Sequence, residues 1–84
     1  MKEQYEIQEL IRDEVSYADK KYGPFASAHE GYGVLLEEAA ELREAIHANK
    51  SESIIHEAAQ VSAVAFRLAL SMSEPDTLKR SGCK

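Results

Sequence analysis

Acidic side chains at helical spacing are the residues of this chain best suited to chemistry. Glu38 and Glu41 lie three positions apart in a stretch rich in Leu, Ala and Glu, so on a helix their carboxylates are neighbours. Apolar residues surround the pair, and like charges placed there repel each other and lose hydration. A divalent cation between them would remove both costs, because carboxylate oxygens are preferred ligands of Mg²⁺, Mn²⁺ and Ca²⁺. The pair is a candidate metal site; the alternative is a solvated helix face.

A second polar pair with the same spacing lies further along the chain. Glu57 and Gln60 interrupt a run that is otherwise mostly apolar. If the two helices pack antiparallel across the short break at residues 49–50, the two pairs are offset by only about one turn, at ~1.5 Å per residue. Four oxygen-bearing side chains can then converge between two helices, as carboxylate metal sites in helical bundles require.

Three helices are needed to position these residues, and the sequence predicts an all-α fold. The first helix is predicted over residues 2–22 and ends at Gly23-Pro24. The second runs from about 28 to about 48, and Ser27 with Glu30 forms an S-x-x-E capping box at its start. The third runs from about 52 to 72 with Ser51 as its cap. We predict a single domain over residues 1–73 and a polar tail over 74–84.

The third predicted helix is apolar around most of its circumference, so it should be central or lie at a subunit contact. The chain has 84 residues and one cysteine, Cys83, which excludes a disulfide framework. A core this small gives marginal stability, and oligomerisation is the remaining source of it. We therefore expect a three-helix bundle that is completed in a homodimer or homotetramer.

Charge and hydropathy exclude several classes of partner. The net charge is −5, which argues against a nucleic-acid-binding surface built from clustered Lys and Arg. The N-terminal residues carry charges where a signal peptide has an apolar core. The longest mostly apolar run, residues 58–72, is too short and too polar to span a bilayer. We expect a cytoplasmic protein with no nucleic-acid and no membrane partner.

The acidic pairs fall within a longer pattern. Residues 36–42 read LEEAAEL, which has the form EExxE, and residues 57–60 read EAAQ, which is close to ExxD. With the intervening helix-loop-helix, this arrangement resembles the signature of the MazG-like, all-α nucleoside triphosphate pyrophosphohydrolases. The stretch PFASAHEGY, residues 24–32, looks like the entry to that motif in small, phage-type MazG-like proteins. The resemblance covers residues 22 to about 70.

The resemblance implies a house-cleaning enzyme that cleaves a nucleoside triphosphate or deoxynucleoside triphosphate into the monophosphate and pyrophosphate. It also implies Mg²⁺ as cofactor, with Mn²⁺ as a possible substitute. The implied metal ligands are Glu38, Glu41, Glu57 and Gln60. Gln60 stands where the family has Asp, so it offers an oxygen without a charge.

The remaining site residues follow from that chemistry. Glu37 or Glu38 is the candidate acceptor of a proton from the attacking water. Lys21 and Arg67 are candidates for phosphate contact, and a solvated surface charge is the alternative for each. Tyr22 and Phe25 can stack on a base, or they can pack the junction of the first two helices.

Two other readings of the chain remain open. In the first, it is a MazG-like helical module that has lost activity and serves in oligomerisation or nucleotide binding, which the neutral Gln60 favours. In the second, it is a helical hairpin protein without a site.

Overall fold

The computed structural model describes residues 1–73, and within them the chain forms three α-helices and no strand. The helices are α1 (Gln4–Tyr22), α2 (Ala28–Ala48) and α3 (Ser51–Met72). The predicted all-α class and the three helices are confirmed. The predicted tail and Cys83 lie outside the described residues. No helix within residues 1–73 combines the length and the apolarity that a bilayer-spanning segment needs.

The starts of α2 and α3 differ in detail from the sequence predictions. Ser27 Oγ accepts a hydrogen bond from Glu30 N at 3.1 Å, as predicted, but the Glu30 carboxylate accepts from Ala26 N at 2.6 Å. The prediction that Ser51 caps α3 is wrong, because Lys50 holds the extended cap position and Ser51 is already helical. Asn49 adopts the left-handed conformation (φ 59°, ψ 41°), which reverses the chain within two residues and lets α3 begin one residue early.

Helix α3 holds the other two helices together. It packs against both α1 and α2, whereas no Cα atom of α1 lies within 8 Å of one in α2. Gly31, near the start of α2, lies against Leu68, near the end of α3, so these two helices run antiparallel. A Cβ atom at Gly31 would lie 2.7 Å from Leu68 Cδ1, so the glycine permits this close approach. The space between α1 and α2 is a cleft whose floor is α3.

The connection between α1 and α2 is fastened to the end of α3 by four residues, which we call the linker clasp: Gly23, Phe25, Arg67 and Ser71. Ser71 Oγ accepts a hydrogen bond from Phe25 N at 2.9 Å, and Arg67 Nη2 donates to the Gly23 carbonyl at 3.0 Å. The Arg67 guanidinium also lies 4.3 Å from the centroid of the Phe25 ring, at cation–π distance. Because the backbones of α1 and α2 stay apart, the linker clasp helps to set the width of the cleft.

The core is thin, and a broad apolar surface is left uncovered. The buried apolar residues are Phe25, Ala45, Ala59, Ala63 and Val64, and no side chain within residues 1–73 is fully buried. Between positions 58 and 72, α3 exposes no charged residue. We call this surface the outer face of α3; it consists of Ala58, Ser62, Ala65, Phe66, Ala69, Leu70 and Met72.

Candidate metal centre and adjoining cleft

Three glutamates from two helices converge where the middle of α2 faces α3. Glu38 and Glu41 come from α2, and Glu57 comes from the facing part of α3. One carboxylate oxygen of each lies within 4.8 Å of the other two. We call these three residues the acidic cluster. The helical spacing brings Glu38 and Glu41 together, and the antiparallel packing brings Glu57 to them.

The acidic cluster contains polar atoms that the protein itself does not satisfy. Glu38 Oε1 and Glu57 Oε1 are buried and have no hydrogen-bond partner in the part of the chain that the structure describes. Both side chains are half-buried, and Glu41 is exposed. A buried carboxylate oxygen without a donor costs free energy, which a bound cation would recover.

The pKa of Glu38 is affected by its place in the acidic cluster. Loss of hydration raises the pKa of Glu38 above the ordinary glutamate value, and the negative charges of Glu41, Glu57, Glu14 and Glu37 raise it further. The charged form of Glu38 is therefore less favourable in the fold than in a free glutamate when no cation is present.

A cleft of about 430 Å³ adjoins the acidic cluster. Side chains from all three helices and from the α1–α2 connection line it, and Glu38 belongs to both the cluster and the cleft. Among the residues that the sequence singled out, six line the cleft: Tyr22, Phe25, Glu37, Glu38, Gln60 and Arg67. The side chain of Gln60 forms no hydrogen bond within residues 1–73, so its amide group is available to a ligand.

The two ends of the cleft differ in chemistry. Glu37, Glu38 and Gln60 lie toward the acidic cluster, whereas Tyr22, Phe25 and the Glu30 carboxylate, which accepts from Ala26 N, lie toward the linker clasp. Arg67 is the one cationic side chain among the described lining residues. It is only 6 % exposed, and its Nε lies 3.8 Å from the Asp19 carboxylate, beyond hydrogen-bond distance.

Lys21 is the one predicted site residue that belongs neither to the cleft lining nor to the acidic cluster. Its ammonium lies 5.5 Å from the centroid of the Tyr17 ring and 5.3 Å from that of Tyr22, and it donates to Tyr17 Oη at 3.3 Å. The hydrogen bond to Tyr17, and then that to Tyr22, raise the pKa of Lys21. The structure thus places Lys21 as a neighbour of two cleft residues and away from the acidic cluster.

Three lining residues with polar side chains were not singled out as site residues from the sequence: Glu14, Tyr17 and Glu30. Glu14 carried a signal that could have identified it, since it is a carboxylate on the apolar stripe of α1. The same kind of interruption marked Glu57 and Gln60 on α3. Tyr17 gave no comparable signal, and Glu30 was recognised only as a helix cap.

Comparison of the chain with protein-family models, curated proteins and solved structures found no match.

The donor set of the acidic cluster fits a hard divalent cation. All three residues offer carboxylate oxygens, two of which are buried without a partner, and Mg²⁺ and Mn²⁺ prefer such oxygens over the nitrogen of histidine. The cleft beside the cluster leaves room for a ligand that shares the cation. The arrangement can hold a metal-bound anionic group at one end and an aromatic group at the other.

Proposed function

We propose that this chain is a Mg²⁺-dependent nucleoside triphosphate pyrophosphohydrolase of the MazG-like kind, with Mn²⁺ as a possible substitute for Mg²⁺. One observation carries the proposal: three glutamates of the predicted motif converge within 4.8 Å beside a cleft that has an aromatic end. A solvated acidic face would not leave two carboxylate oxygens buried without partners.

Each residue then has a role that its position supports. Glu38, Glu41 and Glu57 would hold the ion, and Gln60 adds a neutral oxygen at the same end of the cleft. When bound, the ion neutralises the phosphates and makes an attacking water more acidic. Tyr22, Phe25 and Arg67 contact the rest of the substrate at the opposite end.

Glu37 is the best placed proton acceptor. It is exposed and lines the cleft next to Glu38, and it is not part of the acidic cluster. In the reaction the oxygen of a water molecule bonds to phosphorus, Glu37 takes the proton, and pyrophosphate leaves with the electron pair of the broken P–O bond. The products are a nucleoside monophosphate and pyrophosphate.

The test combines binding with turnover. Calorimetric titration of the chain with Mg²⁺ and a non-hydrolysable nucleotide measures binding, and pyrophosphate release is then screened over the common NTPs and dNTPs. Metal-dependent pyrophosphate release that is lost in Glu41→Gln and kept in Glu44→Gln supports the proposal. Glu44 is a matched control, because it is an exposed glutamate on α2 outside the acidic cluster. No binding of metal and nucleotide refutes the proposal.

Gln60 favours a second candidate function, which is a metal- and nucleotide-binding module without turnover. It is the neutral residue at the position where the resemblance implies Asp, and it faces the cleft with Glu38. Carboxylate charge count tunes cation affinity in oxygen-ligand sites, so the neutral residue weakens the metal centre. Binding without pyrophosphate release in the same experiment supports this function.

We also propose that the chain works as a homodimer or homotetramer whose contact is the outer face of α3. An uncharged face that includes exposed Phe66, Leu70 and Met72 is typical of surfaces that bury against another chain. The thin core of the single chain would gain burial from that contact. The acidic cluster does not use the exposed residues of this face, so assembly leaves its glutamates in place.

A further inference from the structure

We propose that Arg67 binds the base of the bound nucleotide and selects guanine. This inference rests on the proposed function, which supplies a nucleotide as the ligand. The residue was first interpreted as a contact to phosphate, and its place in the fold argues for the other end of the nucleotide.

Distance along α3 separates Arg67 from the phosphates. Glu57 and Arg67 belong to the same helix and are ten residues apart, which corresponds to about 15 Å along the axis at ~1.5 Å per residue. Phosphates held at the acidic cluster therefore lie away from the guanidinium. The aromatic rings of Tyr17, Tyr22 and Phe25 line the cleft near Arg67, and these are the groups on which a base can stack.

Arg67 keeps donors that no described residue uses. The side chain is 6 % exposed, and its only hydrogen bond within residues 1–73 joins Nη2 to the Gly23 carbonyl. Nε is buried without a hydrogen-bond partner, 3.8 Å from the Asp19 carboxylate, and Nη1 and one N–H of Nη2 also form no hydrogen bond to a described residue. The Nη1–Nη2 side is the unused edge of the guanidinium. A buried guanidinium with unused donors costs free energy, and a ligand that accepts from both nitrogens would recover it.

The linker clasp holds this edge in a fixed orientation. The Gly23 carbonyl binds one side of the guanidinium and the Phe25 ring packs on its face at 4.3 Å. A preorganised pair of parallel N–H groups matches a base edge with two adjacent acceptors. Guanine presents such an edge in O6 and N7, whereas adenine places a donor, N6, beside N7.

The experiment measures the binding of nucleoside monophosphates to the full chain in EDTA, by calorimetry or NMR titration. GMP should bind about tenfold or more tightly than AMP, the discrimination expected of one bidentate arginine contact. The 7-deaza analogue of GMP, which lacks the N7 acceptor, should lose most of that advantage. Equal affinities for the three nucleotides, or no binding of GMP up to millimolar concentration, would overturn the inference. So would displacement of GMP by equimolar inorganic phosphate, because the edge would then be a general anion site.

A substitution provides a second test. Arg67→Lys replaces the planar fork by a point charge, and the preference for GMP over AMP should fall to near unity. Arg43→Lys, on the exposed surface of α2, should leave the preference unchanged. Arg67 is also part of the linker clasp, so the helicity of the variant is checked by circular dichroism. If the variant does not fold, the 7-deaza comparison on the unaltered chain decides.

Failure of this inference and failure of the proposed function are distinguishable. The nucleotide series is measured without metal, whereas the proposed function depends on metal-dependent binding and pyrophosphate release. Metal-dependent turnover with no preference for guanine removes only the role of Arg67. A clear preference for GMP without metal-dependent binding supports the base site and refutes the proposed hydrolase function.

Discussion

The substitution Glu41→Gln should make the protein more stable than the unaltered chain in the absence of metal and less stable than the unaltered chain in its presence. Each pair of oxygens in the acidic cluster lies within 4.8 Å, and unit charges at that separation repel by roughly 1 kcal/mol in a water-like dielectric. Glu41 is exposed, so this lower limit applies, and salt at ~0.15 M roughly halves it. Removing the charge removes its repulsion with both Glu38 and Glu57. The metal-free variant should therefore be more stable than the unaltered chain by about 1 kcal/mol.

Metal should act in the opposite direction. Mg²⁺ or Mn²⁺ at one hundred times its dissociation constant would stabilise the unaltered chain by about 2.7 kcal/mol through mass action. The variant has lost one of three carboxylate ligands and should lose most of that gain. Gln and Glu have similar helix propensities, so α2 itself is unaffected.

Thermal unfolding followed by circular dichroism is the assay, in EDTA and in a series of Mg²⁺ concentrations at constant ionic strength. For a domain of this size about 1 kcal/mol corresponds to a shift in Tm of roughly 4–8 °C. Glu44→Gln removes a charge from the same helix outside the cluster and should keep the full metal response. If Glu41→Gln leaves Tm unchanged in EDTA and responds to Mg²⁺ like the unaltered chain, the three carboxylates do not act together and the metal centre is refuted.

Three further predictions follow from the same geometry. Gln60→Asp should lower stability in EDTA by about 1 kcal/mol or more, by adding a partly buried charge. It should also increase the rise in Tm caused by Mg²⁺. If the variant has the same Tm as the unaltered chain both in EDTA and in Mg²⁺, position 60 does not share the site. The pKa of Glu38 is raised in the fold, so its contribution to metal-free stability should be fully present at acidic pH and be lost as the pH rises through that pKa. Unfolding in EDTA across a pH series should show this slope, and Glu38→Gln should flatten it. Sedimentation at micromolar concentration should show a dimer or tetramer that Leu70→Asp dissociates, and a monomer of 9.4 kDa before substitution would contradict the proposed contact.

Local sequence signals predicted much of the fold, because helix caps and breaks depend on residues close together in the chain. The Gly23-Pro24 break, the Ser27 cap and the short connection at residues 49–50 defined three helices to within about two residues. The antiparallel pairing implied by that connection then predicted the meeting of Glu38 and Glu41 with Glu57. These features depend on residues close in sequence or on a single pair of helices. In both cases the spacing of residues along the chain determines how far apart they lie in space.

The cleft could not be predicted in the same way, because it depends on how α1 rotates about its axis when it packs on α3. The charge on Lys21 suggested a phosphate contact, but the rotation of α1 turns Lys21 away from the cleft and brings Glu14 and Tyr17 into it. Burial of Arg67 also depends on contacts across 44 positions, to Gly23. Hydrophobic periodicity identifies the face of a helix that packs, and it leaves undetermined which polar residues at the border of that face meet a third element.

The separation between the backbones of α1 and α2 has a consequence for local unfolding. Helix α1 packs its backbone against α3 and is tied to it by the linker clasp, so it can open as a unit while the α2–α3 hairpin stays folded. The acidic cluster lies entirely on that hairpin, whereas Tyr17 and Tyr22 belong to α1. A cation would therefore slow amide hydrogen exchange in α2 and α3 and leave α1 exchanging quickly. A nucleotide that spans the cleft would protect α1 as well, so exchange in that one helix would distinguish occupancy by nucleotide from occupancy by metal alone.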